Sequence, residues 1–208
     1  MTNSGNAPRR SRTKITLIAL ISIIPMVLAW ILAGHPEWLG GKTTNYGTLI
    51  TPARPLDYAG LLAQPISPAG SLSEIKGRWV FLHVGIGECP EPCADALYKS
   101  YDSLYKTRQV RLMLNKEIPR LKRLLLLPPE APGAGYESIR KNDEDLLLAN
   151  ASPELTETLT AASGQPLRPG MVFLLDPLGN LVLWYQPGFD PYRMDKDLKL
   201  LLRVSQIG

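Results

Sequence analysis

Cys89 and Cys93 are the only cysteines in 208 residues, and they stand four apart in Gly87-Glu88-Cys89-Pro90-Glu91-Pro92-Cys93. Ahead of them runs Trp79-Val80-Phe81-Leu82-His83-Val84, an apolar stretch that predicts a buried β-strand. Behind them Ala94, Leu97, Tyr98, Tyr101, Leu104 and Tyr105 recur at helical spacing and predict a helix reaching as far as Leu114, with its tyrosines in the core. The pair thus falls at a strand-to-helix junction, with Cys89 near the helix N-cap and Cys93 in the first turn. Unpaired N–H groups and the positive end of the helix dipole favour a thiolate there. The thiolate is the form that attacks disulfides and binds soft metals. Pro90 and Pro92 lack N–H groups, but first-turn donors have no intrahelical partner anyway. Residues four apart on a helix lie about 6 Å apart at Cα, within disulfide reach. Dithiol, disulfide and a two-thiolate metal site are all open to such a pair, and so is a purely structural bridge. A loop this short would contribute about 2 kcal/mol, less than a bridge between distant segments, so stability is the weaker reason for it.

The compartment decides how the pair reads. Residues 1–14 form a basic tail with Arg9, Arg10, Arg12 and Lys14 and no acid. These four account for the whole excess of 23 basic over 19 acidic residues, so the net charge of +4 is no sign of nucleic-acid binding. Residues 15–33 carry no charge, which suffices for one transmembrane helix at 1.5 Å per residue. Trp30 and Trp38 suit its far interface. A cleaved signal peptide would have a shorter apolar core and a small residue two places before its cleavage site, where Ile31 stands before Ala33. The basic flank precedes the span, so the N-terminus is expected in the cytoplasm and the remainder outside the inner membrane. A periplasm-like compartment is oxidising, and a resting disulfide is expected there. Residues 34–44 read as a spacer in which His35 is a solvated residue, and residues 45–208 as the exported domain.

The remaining chain supplies the elements that must hold the pair. Tyr46 to Thr51 reads as a short strand, and the proline-rich stretch to Ser73 as irregular, with an edge strand at best. Arg120–Leu127 reads as a second central strand, stopped by Pro128-Pro129. Glu137–Asn150 and Pro153–Ala162 read as helices. Met171–Leu175 and Leu181–Tyr185 form a hairpin about the Asp176–Asn180 turn. Asp190 caps a last helix with Pro191 at its first position and Met194, Leu198, Leu201 and Leu202 on its apolar face. Strand, cysteine helix, strand, helices, hairpin, helix is the thioredoxin order: an α/β fold with a central mixed sheet flanked by helices, preceded by one transmembrane helix.

Three stretches resemble the Sco family: Ile75–Leu82, Cys89-Pro90-Glu91-Pro92-Cys93, and Phe173–Gly179. Arg108–Leu112 with Arg120-Leu121 is similar to small single-span thioredoxin-like proteins associated with bacterial cytochrome oxidase. The resemblance implies a membrane-anchored thioredoxin fold that helps assemble the copper centre of cytochrome c oxidase. It also implies copper held by Cys89 and Cys93 with a distant histidine, or thiol–disulfide reduction by the same pair. An oxidase subunit or another copper carrier is the partner it implies. The position corresponding to the family's copper-binding histidine, before the Asp176-Pro177 turn, is Arg168. Arg168 is either a solvated loop residue or a charge that lowers a thiol pKa. Met171, a candidate soft thioether for Cu(I), reads equally as a strand side chain in the core. His83, inside the first strand, reads as a core residue with a hydrogen-bond partner. An oxidoreductase, a Cu(I) chaperone and an anchored assembly factor with a structural disulfide all remain open.

Overall fold

A computed structural model of the chain describes residues 7–35, 45–57, 71–85, 94–127 and 143–205. The chain divides into two units, residues 1–44 and 45–208. The first contains α1 (Ala7–Gly34), whose segment Lys14–Gly34 is long and apolar enough to cross a membrane once. Pro25 lies inside the helix, as membrane helices tolerate.

The second unit is built on one six-stranded sheet. Its strands are β1 (Thr48–Pro55), β2 (Trp79–Val84), β3 (Leu121–Leu127), β4 (Leu146–Asn150), β5 (Val172–Leu175) and β6 (Asn180–Tyr185). Their order across the sheet is β1-β6-β5-β2-β3-β4. β2, β3 and β4 run parallel, while β5 is antiparallel to β2 and β6 antiparallel to both β5 and β1. Among the described residues the unit has three α-helices, α2 (Ala94–Met113), α3 (Pro153–Ser163) and α4 (Pro191–Val204), and two short 3-10 turns, Ser71–Ile75 and Asn115–Arg120.

β2 is buried throughout, and apolar except for His83, because both faces of the sheet are covered. Val80, Leu82 and Val84 join Leu124, Leu126, Phe173 and the α3 residues Leu155 and Leu159 on one face. Trp79 and Phe81 join Val110 of α2, Leu114 just after it, and Met194, Leu198 and Leu202 of α4 on the other. The two best-formed helix starts follow their sequences. Ser152 accepts the Leu155 amide before Pro153, and Asp190 accepts the Tyr192 amide before Pro191. β1 accepts Pro52 and Pro55 because it is an edge strand.

Two expectations are corrected. Glu137–Asn150 is not one helix: Leu146–Asn150 is strand β4, paired in parallel with β3, and residues 137–142 lie outside the described residues. Leu146-Leu147-Leu148-Ala149 is buried on both faces, and a short continuous apolar run of that kind suits a sheet edge under cover as well as a helix. Tyr105 is not in the core; it is 65% exposed, while its neighbour Leu104 is buried. The side chains of Tyr98 and Tyr101 lie outside the described residues.

Candidate functional site

The segment that joins β2 to α2 carries both cysteines. Cys89 and Cys93 themselves lie outside the described residues. The structure defines the frame from which that segment departs and to which it returns.

The departure point is tightly fixed. The Gly85 amide donates to the Leu126 carbonyl at 2.9 Å, continuing the parallel β2–β3 ladder one residue past Val84. A Cβ at Gly85 would lie 2.7 Å from that same carbonyl oxygen. The chain therefore leaves the sheet hard against β3, where only glycine fits.

Arg168 stands beside this exit. Arg168-Pro169-Gly170-Met171 is a turn in which the Met171 amide donates to the Arg168 carbonyl at 3.1 Å. Pro169 at its second position and Gly170 at φ 86° at its third are the residues a type II turn demands. The Gly170 amide donates to the Val84 carbonyl and the Val84 amide to the Met171 carbonyl, each at 2.9 Å. The turn is thereby laced to the last residue of β2. The Arg168 residue is exposed. Met171 is fully buried in the core, and its sulfur accepts the Arg168 amide at 3.2 Å. That thioether already has a donor and faces packed apolar side chains.

His83 points to the other face of the sheet, under the middle of α2. Its Nε2 lies 3.1 Å from Thr107 Oγ1. Thr107 Oγ1 also accepts Arg123 Nε–H at 3.1 Å and donates to the Leu104 carbonyl at 3.1 Å. With the one hydroxyl proton given to Leu104, His83 must donate through Nε2, which leaves a lone pair on Nδ1. That Nδ1 is buried and has no partner among the described residues. Burial, and then the Arg123 charge, hold the His83 pKa well below its ordinary value, so the ring is neutral. About 20 Å of helix separate Ala94 from Thr107. His83 is therefore a core residue with a hydrogen-bond partner, as its sequence position predicts, and not a group at the head of α2.

Arg123 is the residue that sequence reasoning missed. It sits fully buried in the apolar run of β3. Its guanidinium donates to Asp143 at 2.5 Å and to the Leu104 carbonyl at 2.6 Å as well as to Thr107. Burial lowers its pKa and Asp143 opposes that shift. A lone arginine inside Leu-Lys-Arg-Leu-Leu was the only sequence signal, and alternation with the partly exposed Lys122 could have marked it as inward-facing.

A second device lies toward the opposite, β1–β6, edge of the sheet. The Asp197 carboxylate accepts the Tyr46 amide, the Gly47 amide and the Tyr185 hydroxyl, each within 3.0 Å. This ties the entry of β1 and the end of β6 to α4. A Cβ on Gly47 would meet the Tyr185 ring at 2.7 Å. Next to it lies a cleft of about 480 Å³ whose walls include Tyr46, Trp184, Phe189 and Arg193. Among the described residues no group of three His, Cys, Asp or Glu side chains is placed to hold a metal.

The family described as transmembrane-like, thioredoxin-like, C-terminal domain matches residues 79–205, more than half of the chain. No curated protein sequence matches it. Among solved structures, copper-bound ScoI of Bradyrhizobium japonicum is 16% identical at a TM-score of 0.42, over 62% of this chain and 87% of that one. Copper-bound yeast Sco1 is 15% identical at 0.45, over 63% and 82%. The thioredoxin domain of a thiol–disulfide oxidoreductase from Bacteroides vulgatus is 12% identical at 0.42, over 62% and 84%.

Proposed function

This chain belongs to the transmembrane-like, thioredoxin-like C-terminal domain family, and from that premise we propose that it is a membrane-anchored thiol–disulfide protein that assists assembly of the cytochrome c oxidase copper centre. Cys89 is the attacking thiolate and Cys93 the resolving one. Cys89 Sγ attacks a disulfide on the substrate protein, one substrate thiolate leaves and takes a proton, and a mixed disulfide remains. Cys93 then attacks Cys89 Sγ, releases the second substrate thiol, and closes the Cys89–Cys93 disulfide. Two electrons pass to the substrate, and a dithiol reductant of the exported compartment restores the pair. The substrate is a cysteine pair on an oxidase subunit or on a copper carrier. The N-terminus stays in the cytoplasm and residues 34–208 lie on the outer face of the inner membrane.

One observation carries this reading: the only two cysteines of the chain fall between the C-terminal end of β2 and the start of α2. In a thioredoxin-like fold that is where a helix N-terminus activates a thiolate.

A copper-carrying role draws on the same two thiolates, with copper as cargo. The described residues give it no third donor. Arg168 has no lone pair to offer, the Met171 thioether is buried and already engaged, and His83 lies beneath mid-helix. Two-thiolate coordination by Cys89 and Cys93 is a low coordination that this soft ion accepts.

Trapping tests the reading. The full chain with Cys93→Ser should accumulate mixed disulfides with an envelope protein through Cys89, and the Cys89→Ser chain should not. Equal absence of adducts from both variants would leave the pair a structural bridge and the protein an anchored assembly factor.

A further inference from the structure

The exposed face of α4 has an unusual charge distribution. Its four cations, Arg193, Lys196, Lys199 and Arg203, are all exposed and its two acids, Asp195 and Asp197, are buried, although Lys199 still reaches Asp195 at 2.7 Å and Arg193 lies 3.5 Å from the exposed capping residue Asp190. An ordinary soluble surface interleaves the two signs. Between the cations stand Tyr192, Leu200 and Val204, exposed by 69%, 42% and 78%. α2, which packs beside α4 on the same face of the sheet, adds exposed Tyr105, Arg108 and Leu112.

The chain also enters its folded domain on this helix. The Tyr46 and Gly47 amides bond to Asp197 of α4, and the Tyr46 ring lies 5.2 Å from the Arg193 guanidinium and 5.9 Å from Lys196 Nζ. From Gly34, where the apolar helix ends, to Asn45 the chain can extend by no more than about 40 Å. The element that receives the tether is therefore the element with the basic and apolar outer face.

We propose that the outer face of α4 docks on the anionic lipid surface of the membrane that α1 spans. Arg193, Lys196, Lys199 and Arg203 meet the headgroup phosphates, and Tyr192, Leu200 and Val204 enter the boundary between headgroups and acyl chains. The partner is a lipid surface rather than a protein because positive charge and isolated apolar side chains lie together on a helix of a domain that follows a membrane-length apolar segment in the same chain. Docking goes beyond the cysteine chemistry and does not depend on it.

The test is lysine footprinting of the full chain in lipid nanodiscs. One set is purely zwitterionic, and the other contains about 30 mol% anionic phosphatidylglycerol, which sets the surface potential. Acylation of Lys196 and Lys199 should slow by about threefold or more in the anionic discs and recover at about 0.5 M salt, where the Debye length is a few ångströms. Lys76, exposed next to the start of β2, should react alike in both. Lys196→Gln with Arg203→Gln should reduce the protection of Lys199. Equal reactivity of Lys196 and Lys199 in the two kinds of disc overturns docking while leaving the anchor intact. Protection seen only in native membranes, and never in lipid-only discs, assigns the face to an acidic protein and also overturns the proposal. Failure of the full chain to enter discs at all removes the anchor and the docking together.

Discussion

The backbone amide of Arg168 donates to the thioether sulfur of Met171 at 3.2 Å, inside the turn that closes on the last residue of β2. This contact turns the sulfur away from metal chemistry and sets the arginine beside the exit toward the cysteines. It also explains how the turn tolerates a long side chain at Met171: the thioether fills the core and satisfies an amide at once.

Arg168→His therefore places an imidazole where the Sco resemblance implies one. Cu(I) affinity should tighten by about tenfold, equivalent to about 1.4 kcal/mol. The Cys89 pKa should rise as the neighbouring positive charge is lost. Competition against a chromophoric Cu(I) chelator measures the first, and the pH dependence of alkylation the second. No change in either would place position 168 away from the cysteines.

Gly85→Ala should destabilise the domain by about 1–3 kcal/mol, because the new Cβ meets the Leu126 backbone oxygen and neither strand can yield without losing ladder bonds. Urea unfolding followed by near-UV circular dichroism reports it. An unchanged midpoint would mean that the chain does not leave β2 against β3.

His83 sets an acid limit on stability. Its neutral form is favoured in the fold, so its folded pKa is depressed. Below about pH 6.5 the unfolded chain binds a proton at this site and the folded chain does not, so stability falls as pH falls. His83→Gln should flatten this limb between about pH 5 and 7. The comparison is of slopes, since the variant also loses packing. An identical slope in both proteins would assign the acid limb to other groups.

The order of strands and helices was legible because the apolar runs are long and their stops are chemical. Trp79–Val84 is a strand with the bounds that its sequence implies, and Pro191 with Asp190 marks the start of α4. β4 was misread because Leu146–Asn150 gains its strand state from pairing with β3, a long-range contact that no local pattern records. The Arg123–Asp143–Thr107 network was hidden for the same reason: its three members come from a strand, a loop and a helix. At the site, the strand-to-helix setting of Cys89 and Cys93 could be read directly, since Val84 and Ala94 bound it. The glycine requirement at Gly85 could not, because it arises from Leu126, a distant neighbour in β3.

The most direct test of the account is a glutathione redox titration of the full chain, with Cys89 and Cys93 separated by differential alkylation and mass spectrometry. The account predicts that the two convert together, at a potential less negative than about −300 mV, with Cys89 alkylating faster than Cys93 and titrating below about 8.5. A pair that stays oxidised below about −300 mV, or two reduced thiols that react equally slowly, would contradict it.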